Sequence, residues 1–192
     1  MNGCCYNLFM TPFEKAALGL AREELLRDLS GRVVEVGCGT GVNFGLYPEP
    51  EKVLALEPDE EMRRVAESVR PPGLDLRQGL AEAIPVPDAS VDHLVVTLVF
   101  CSVESLMQSL LEARRVLKPE GTLHFLEHVK GDGIYGRLHD WCTPLWSRIA
   151  GGCHLNRETV SVLTEAGFEV IELREVLRFI GTPFVMGRAR VC

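Results

Sequence analysis

Glu35-Val36-Gly37-Cys38-Gly39-Thr40-Gly41 decides how this 192-residue chain folds. Arg32-Val33-Val34 leads into it as a short apolar, β-branched run, so the three glycines stand where a buried strand has to turn sharply. Glycine there lets the backbone take positive φ and lets a ligand approach without meeting a Cβ. A helix starting after the turn would offer free N–H groups. The pattern predicts a strand, a cofactor-binding turn and a helix, in that order.

Working outward, apolar β-branched runs alternate with amphipathic stretches, as they do when helices cover both faces of a mostly parallel sheet. The expected strands are residues 32–36, 53–57, 74–78, 91–99, 122–128, 168–176 and 184–191, the last antiparallel. Pro58-Asp59-Glu60-Glu61 opens a helix with acids in its first turn, and Pro71-Pro72-Gly73 stops it near residue 69. Further helices are expected over residues 104–117, 135–149 and 157–166, the last capped by Gly167. Lys118-Pro119-Glu120-Gly121 reads as a turn before the fifth strand. Residues 1–30 are expected as a helical cap, and residues 31–192 as one domain with a lid insertion at about 129–156.

A hydrophobic content of 46% suits one α/β core of this length and is short for two. The net charge of -7 argues against a nucleic-acid partner, whose phosphates call for clustered Lys and Arg. The seven cysteines form no C-x-x-C pair, so neither a disulfide framework nor a metal is expected. No apolar run approaches the ~20 residues that span a bilayer, and no secretory signal is read. A cytoplasmic protein without integral membrane association is expected.

A glycine-rich turn also serves dinucleotides. In G-x-G-x-x-G the third glycine would fall on Val42, whereas here it is Gly41. Glu35 has no task beside a pyrophosphate, but an acid there can take up a cationic amino group or the amides of the glycine loop. Glu57, at the end of the second strand, is placed to accept both hydroxyls of a ribose. The sheet uses nearly all of the chain and leaves no room for a separate substrate domain.

In this order the motifs resemble those of class I S-adenosylmethionine-dependent methyltransferases, of the type that modify ubiquinone and menaquinone precursors, phospholipids or small thiols. Glu35 to Gly41 resembles the family's first motif. Leu56-Glu57-Pro58-Asp59-Glu60-Glu61-Met62 is similar to its second-strand motif, and Gly79-Leu80-Ala81-Glu82-Ala83-Ile84-Pro85 to the loop bordering the adenine. Asp88-Ala89-Ser90-Val91-Asp92 and Leu117-Lys118-Pro119-Glu120-Gly121 match the fourth-strand entry and the turn before the fifth strand. Thr97-Leu98-Val99-Phe100-Cys101-Ser102-Val103 and Leu126-Glu127-His128-Val129 are most similar to the membrane-associated alkyl-thiol methyltransferases, although their hydrophobic N-terminal anchor is not read here. The resemblance implies a Rossmann-like fold and S-adenosylmethionine as donor, with S-adenosylhomocysteine as product. It also implies a cofactor site drawn from Tyr6, Glu35, Gly37, Cys38, Gly39, Thr40, Gly41, Asn43, Glu57, Pro58, Met62, Gly79, Leu80, Ala81, Thr97, Leu98 and Ser102.

Chemistry in an open α/β sheet takes place beyond the carboxyl ends of the strands, which brings Cys101, Ser102, Glu127 and His128 to the edge that carries the glycine turn. Glu127 and His128 are the candidates for holding or deprotonating the acceptor, since histidine titrates near neutrality. Their other reading is to cap the strand and bind backbone. Trp141 and Trp146 in the lid are expected to line an apolar pocket or to pack, and His139, Cys142, Cys153 and His154 match no closed zinc spacing. The expectation is methyl transfer to a small-molecule acceptor: a thiol, a phenol or quinone precursor, an amine or a lipid headgroup. The alternative is a scaffold that binds the cofactor without turnover.

Overall fold

The computed structural model describes residues 17–192, and Tyr6 lies outside them. Seven strands form one sheet: β1 (Val33–Val36), β2 (Val53–Leu56), β3 (Asp75–Arg77), β4 (Val91–Thr97), β5 (Leu117–His128), β6 (Phe168–Phe179) and β7 (Thr182–Val191). Their spatial order is β3-β2-β1-β4-β5-β7-β6, with β7 antiparallel to both neighbours and every other pairing parallel. The helices are α1 (Gly19–Leu26), α2 (Glu60–Val69), α3 (Leu106–Val116), α4 (Gly133–Ile149) and α5 (Thr159–Glu165).

Strand periodicity divides the core in two. Val34, Val36, Leu54, Leu56, Leu94 and Val96 pack on one face with Leu106, Leu110 and Ala113 of α3 and Leu163 of α5. Val33, Val53, Ala55 and Val95 point to the other face, where Ala21, Leu25 and Leu26 of α1 and Ala66 of α2 cover them. Two N-caps fix helix starts at the carboxyl edge: Asp59 accepts from Met62 N at 2.9 Å, and Ser105 from Gln108 N at 3.3 Å.

Two expectations are corrected. The glycine turn leads into no α-helix; the chain runs through turns into a single 3-10 turn, Phe44–Leu46, and a second at Pro50–Lys52. Gly45 weakens a helix at this point, and Pro48 and Pro50 remove the N–H groups that would continue it. Lys118-Pro119-Glu120-Gly121 lies within β5 rather than before it. Leu117 pairs with Val91, and the ladder resumes only at Thr122 opposite His93, so Pro119 sits in the register shift where it need not donate.

Inside the sheet, His93 Nδ1 and His124 Nε2 meet at 3.1 Å. Burial holds the His124 imidazole down to about 3, and the charges of His93 and Arg188 push it the same way. The unfolded chain protonates this group near 6.5, so the stabilisation is complete above that pH and is lost as pH falls from about 6.5 toward 3. Urea denaturation across this window should show His124→Gln losing about 4 kcal/mol less stability on acidification than the wild type. Parallel curves for the two proteins would mean that His124 protonates freely in the folded state.

Candidate active site

Between β1 and β4 the strand order reverses: β1 leads to β2 on one side, and β4 lies on the other. A crevice opens at such a switch point beyond the strand ends. The glycine turn fills its floor. Cys38 N donates to Leu56 O at 3.0 Å and Gly41 N to Cys38 O at 2.9 Å, which closes the turn against β2. Gly37 and Gly39 both take positive φ, with opposite surroundings. A Cβ on Gly37 would meet Val99 Cγ2 at 2.4 Å, whereas one on Gly39 would meet nothing within 4 Å. Gly39 thus faces an open cradle, and its N–H donates to Glu57 Oε2 at 2.8 Å while Asp59 N donates to Glu57 Oε1 at 2.9 Å. Burial raises the Glu57 carboxyl, and these two amides pull it back.

Glu35 is fully buried beneath this floor. Its Oε1 accepts from Asn43 Nδ2 at 2.7 Å and its Oε2 from Tyr47 Oη at 2.9 Å. Arg22, from α1, donates to Asn43 Oδ1 at 3.0 Å and Thr97 Oγ1 at 2.7 Å, so one cation serves a buried polar cluster built from α1, β1, the post-glycine turn and β4. Burial raises the Glu35 carboxyl; Asn43, Tyr47 and Arg22 lower it.

At the end of β4, Leu98 adopts φ +59, a conformation that costs a β-carbon residue roughly 1–2 kcal/mol. The turn it makes aims two successive amides at one carboxylate oxygen: Val99 N and Phe100 N donate to Glu127 Oε1 at 2.7 and 2.9 Å. Strain at Leu98 and burial of Glu127 are thus parts of one turn. Burial pushes the Glu127 carboxyl up to about 7 in spite of those two amides.

Next to this turn, Cys101, His128 and Cys153 bring two sulfurs and one imidazole nitrogen within 4.8 Å of one another. His128 Nε2 lies 3.0 Å from Cys153 Sγ, and the ring stacks edge-on against Phe184. The Cys101 thiol and the His128 imidazole hold the Cys153 thiol well below its ordinary range, and the same pairing together with burial raises Cys101. The loop after α4 is fastened here: His154 N donates to Cys101 O at 2.8 Å, Arg157 Nη2 to Val103 O at 2.8 Å and Lys130 N to Arg157 O at 3.0 Å. On the outer side of α4, Ile134, Leu138, Trp141, Leu145 and Ile149 are exposed. A groove of about 460 Å³ runs along Trp141, Cys142, Pro144, Leu145, Trp146, Arg148 and Ile149, and the Trp146 indole stands beside Cys153.

Among the residues that the sequence singles out, Gly37, Cys38, Gly39, Thr40 and Gly41 form the floor, while Glu57, Pro58 and Met62 stand at the β2 exit. Gly79, Leu80 and Ala81 follow β3, with Gly79 close against Leu56. Asn43 and Thr97 belong to the buried cluster below. Leu98 and Ser102 bound the β4 turn, where Ser102 Oγ donates to Val99 O at 3.0 Å. His139, one of the four lid groups considered for a metal, is drawn away from Cys153: it accepts from Gly131 N at 3.1 Å and pairs with Thr182 Oγ1 at 3.0 Å. Arg22 and Tyr47 escape the motif reading. A signal for Arg22 did exist, because a cation stands on the apolar face that Leu18, Ala21, Leu25 and Leu26 make.

Residues 34–125 match a family described as methyltransferase domain. The chain is 34% identical over 94% of its length to human thiol S-methyltransferase TMT1B, of which it covers 82%. It is 33% identical over 75% of its length to human thiol S-methyltransferase TMT1A, of which it covers 62%. Among solved structures, geranyl diphosphate C-methyltransferase from Streptomyces coelicolor, bound to Mg2+, geranyl diphosphate and S-adenosylhomocysteine, superposes with TM-score 0.72. That likeness covers 91% of this chain and 80% of the other at 15% identity.

Proposed function

This chain belongs to the class I S-adenosylmethionine-dependent methyltransferases, and from that premise we propose that it methylates the sulfur of a small, largely apolar thiol. The observation that carries the proposal is the reach of the likeness to thiol S-methyltransferases: it extends over 94% of the chain and so includes the acceptor side as well as the glycine turn. The exposed apolar face of α4 and its groove favour an acceptor without charge.

The cradle at Gly39, which any Cβ would narrow, and the buried acid beside it fit a nucleoside cofactor. Glu57 would hold the ribose. The turn from Gly37 to Gly41 would take the amino-acid portion, and Pro58, Met62, Gly79, Leu80 and Ala81 would flank the base. Glu35, with Asn43 and Thr97, supports the floor from beneath; Leu98 and Ser102 border the reacting end, and Tyr6 would close over the cofactor from residues outside those described. Bound S-adenosylmethionine supplies a methyl group already activated on a sulfonium, which leaves the protein the task of alignment. Glu127 fixes the β4 turn through Val99 and Phe100, and His128, at the end of β5, is the group that would hold the acceptor. Residues 129–156, carrying α4, act as the lid. No helix among the described residues is long and apolar enough to cross a membrane, and we place the protein in the cytoplasm.

Mass spectrometry of reactions with S-adenosylmethionine and a panel of alkyl thiols, phenols and primary amines tests the acceptor. Methyl thioethers from the thiols are expected; methylation confined to phenols or amines would overturn the thiol reading. In calorimetry, Glu57→Ala should weaken S-adenosylmethionine binding by roughly tenfold to a hundredfold, the worth of hydrogen bonds to a charged group. Unchanged affinity would remove Glu57 from the ribose site.

A further inference from the structure

We infer that Cys101, His128 and Cys153 form a zinc site with one open position, at which the acceptor thiol binds as thiolate. The inference rests on the thiol-methyltransferase reading above and adds a metal to it.

The donor set points to this ion. Two cysteine sulfurs and one imidazole nitrogen are the ligand types that zinc selects, and three protein ligands with a vacant fourth place are the arrangement of catalytic rather than structural zinc. A tetrahedral ion with bonds of about 2.0–2.3 Å sets its ligand atoms roughly 3.5–3.8 Å apart. The three donors here already lie within 4.8 Å, and His128 Nε2 is 3.0 Å from Cys153 Sγ, so shifts of about 1 Å or less receive the ion. The three residues come from separate elements that are held in register. Cys101 follows the Glu127-braced turn, His128 ends β5, and Cys153 lies in the loop whose next amide, His154 N, is bound to Cys101 O. Two thiolates and a neutral imidazole balance the charge of the ion, which makes their burial tolerable.

The position supplies the chemistry. The cluster sits beyond the ends of β4 and β5, on the edge that carries the glycine turn, with Trp146 and the apolar groove on its outer side. When the acceptor's sulfur replaces a zinc-bound water, the S–H bond breaks and the released water carries the proton away as hydronium. The bound thiolate is then a nucleophile at neutral pH. Its lone pair forms the new S–CH3 bond as the pair of the old C–S+ bond stays with the departing sulfur, and the neutral thioether product gives way to water.

The test uses the full chain purified under reducing conditions, with metal content measured by inductively coupled plasma mass spectrometry after reconstitution with zinc. Wild type and Cys192→Ser, which alters an exposed cysteine far from the cluster, should each hold about one zinc per chain. Cys101→Ser, His128→Ala and Cys153→Ser should each lose most of it. Cobalt substituted for zinc should show sulfur-to-metal charge-transfer absorption in wild type that weakens in either cysteine variant. Calorimetric S-adenosylmethionine binding by the variants certifies that they are folded. A reduced wild-type chain that binds no zinc or cobalt overturns the site, and so does a Cys101–Cys153 disulfide as the form that withstands mild reductant. Thiol methylation that persists after the metal is removed also overturns the inference and leaves the thiol reading standing. Stoichiometric zinc without any thiol methylation supports the site and fells the thiol reading instead.

Discussion

Gly39→Val is expected to abolish S-adenosylmethionine binding, raising Kd by roughly a hundredfold or more, in a chain that still folds. The reason lies in what surrounds two glycines two residues apart. At Gly37 a Cβ would stand 2.4 Å from Val99 Cγ2, in the packed region where β1 and the β4 turn meet, so a side chain there disrupts the protein itself. At Gly39 nothing lies within 4 Å of an added Cβ, so the isopropyl group it carries projects into the cradle beside Glu57. The folded protein bears only the strain of a β-carbon residue at φ +58, about 1–2 kcal/mol, or a few degrees in Tm for a chain of this size. Calorimetry and thermal denaturation of Gly37→Val and Gly39→Val separate the two effects. Gly37→Val should lose stability first; Gly39→Val should keep its melting transition and lose the ligand. Full binding by Gly39→Val would mean that the cofactor does not approach the chain at this turn.

This contrast also shows what a sequence can convey. The strand and the turn were legible because β-branched runs and closely spaced glycines have local causes, and the seven strands follow the same alternation. The missing helix after the turn was legible in principle, since Gly45, Pro48 and Pro50 all oppose it; the expectation of a helix behind a ligand-binding turn outweighed them. β6 and β7 run beyond the expected residues 168–176 and 184–191, since their hairpin turn, Ile180-Gly181, lies between positions of mixed polarity that local patterning does not mark as strand. What no local pattern carries is the meeting of distant residues. Cys101 and Cys153 are brought together by the crossing of β4 with the loop after α4, and their separation along the chain matches no metal motif. The sequence marks His128 for holding or deprotonating the acceptor and sets its neighbour Cys153 only among lid residues, of which the structure sends His139 elsewhere.

The buried cluster under the glycine turn gives the second large expectation: Glu35→Ala should destabilise the protein by about 3–5 kcal/mol, the cost of removing one partner from a buried ionic cluster. The carboxylate accepts from Asn43 and Tyr47, and both donors are buried. Its loss takes the acceptor from the Tyr47 hydroxyl and from one N–H of Asn43, whose amide also donates to Thr97, and removes a negative charge that acts on Arg22, whose guanidinium also holds Thr97 at the end of β4. Water cannot repair the damage easily, because Asn43 is completely buried. With about 2–4 °C in Tm for each kcal/mol in a chain of this size, the melting temperature should fall by roughly 10 °C. Glu35→Gln separates charge from shape: it preserves an acceptor for Tyr47 but removes the charge that acts on Arg22, and should fall between wild type and Glu35→Ala. Since Asn43 belongs to the turn after Gly41 and Thr97 to the strand before Leu98, the same substitution loosens the floor of the cradle and the β4 exit together. Cofactor affinity should therefore fall in both variants, in the order of their stabilities. A Glu35→Ala protein as stable as wild type would show that Arg22, Asn43 and Tyr47 satisfy one another without the acid. Glu35 would then act on the ligand directly rather than through the floor beneath it.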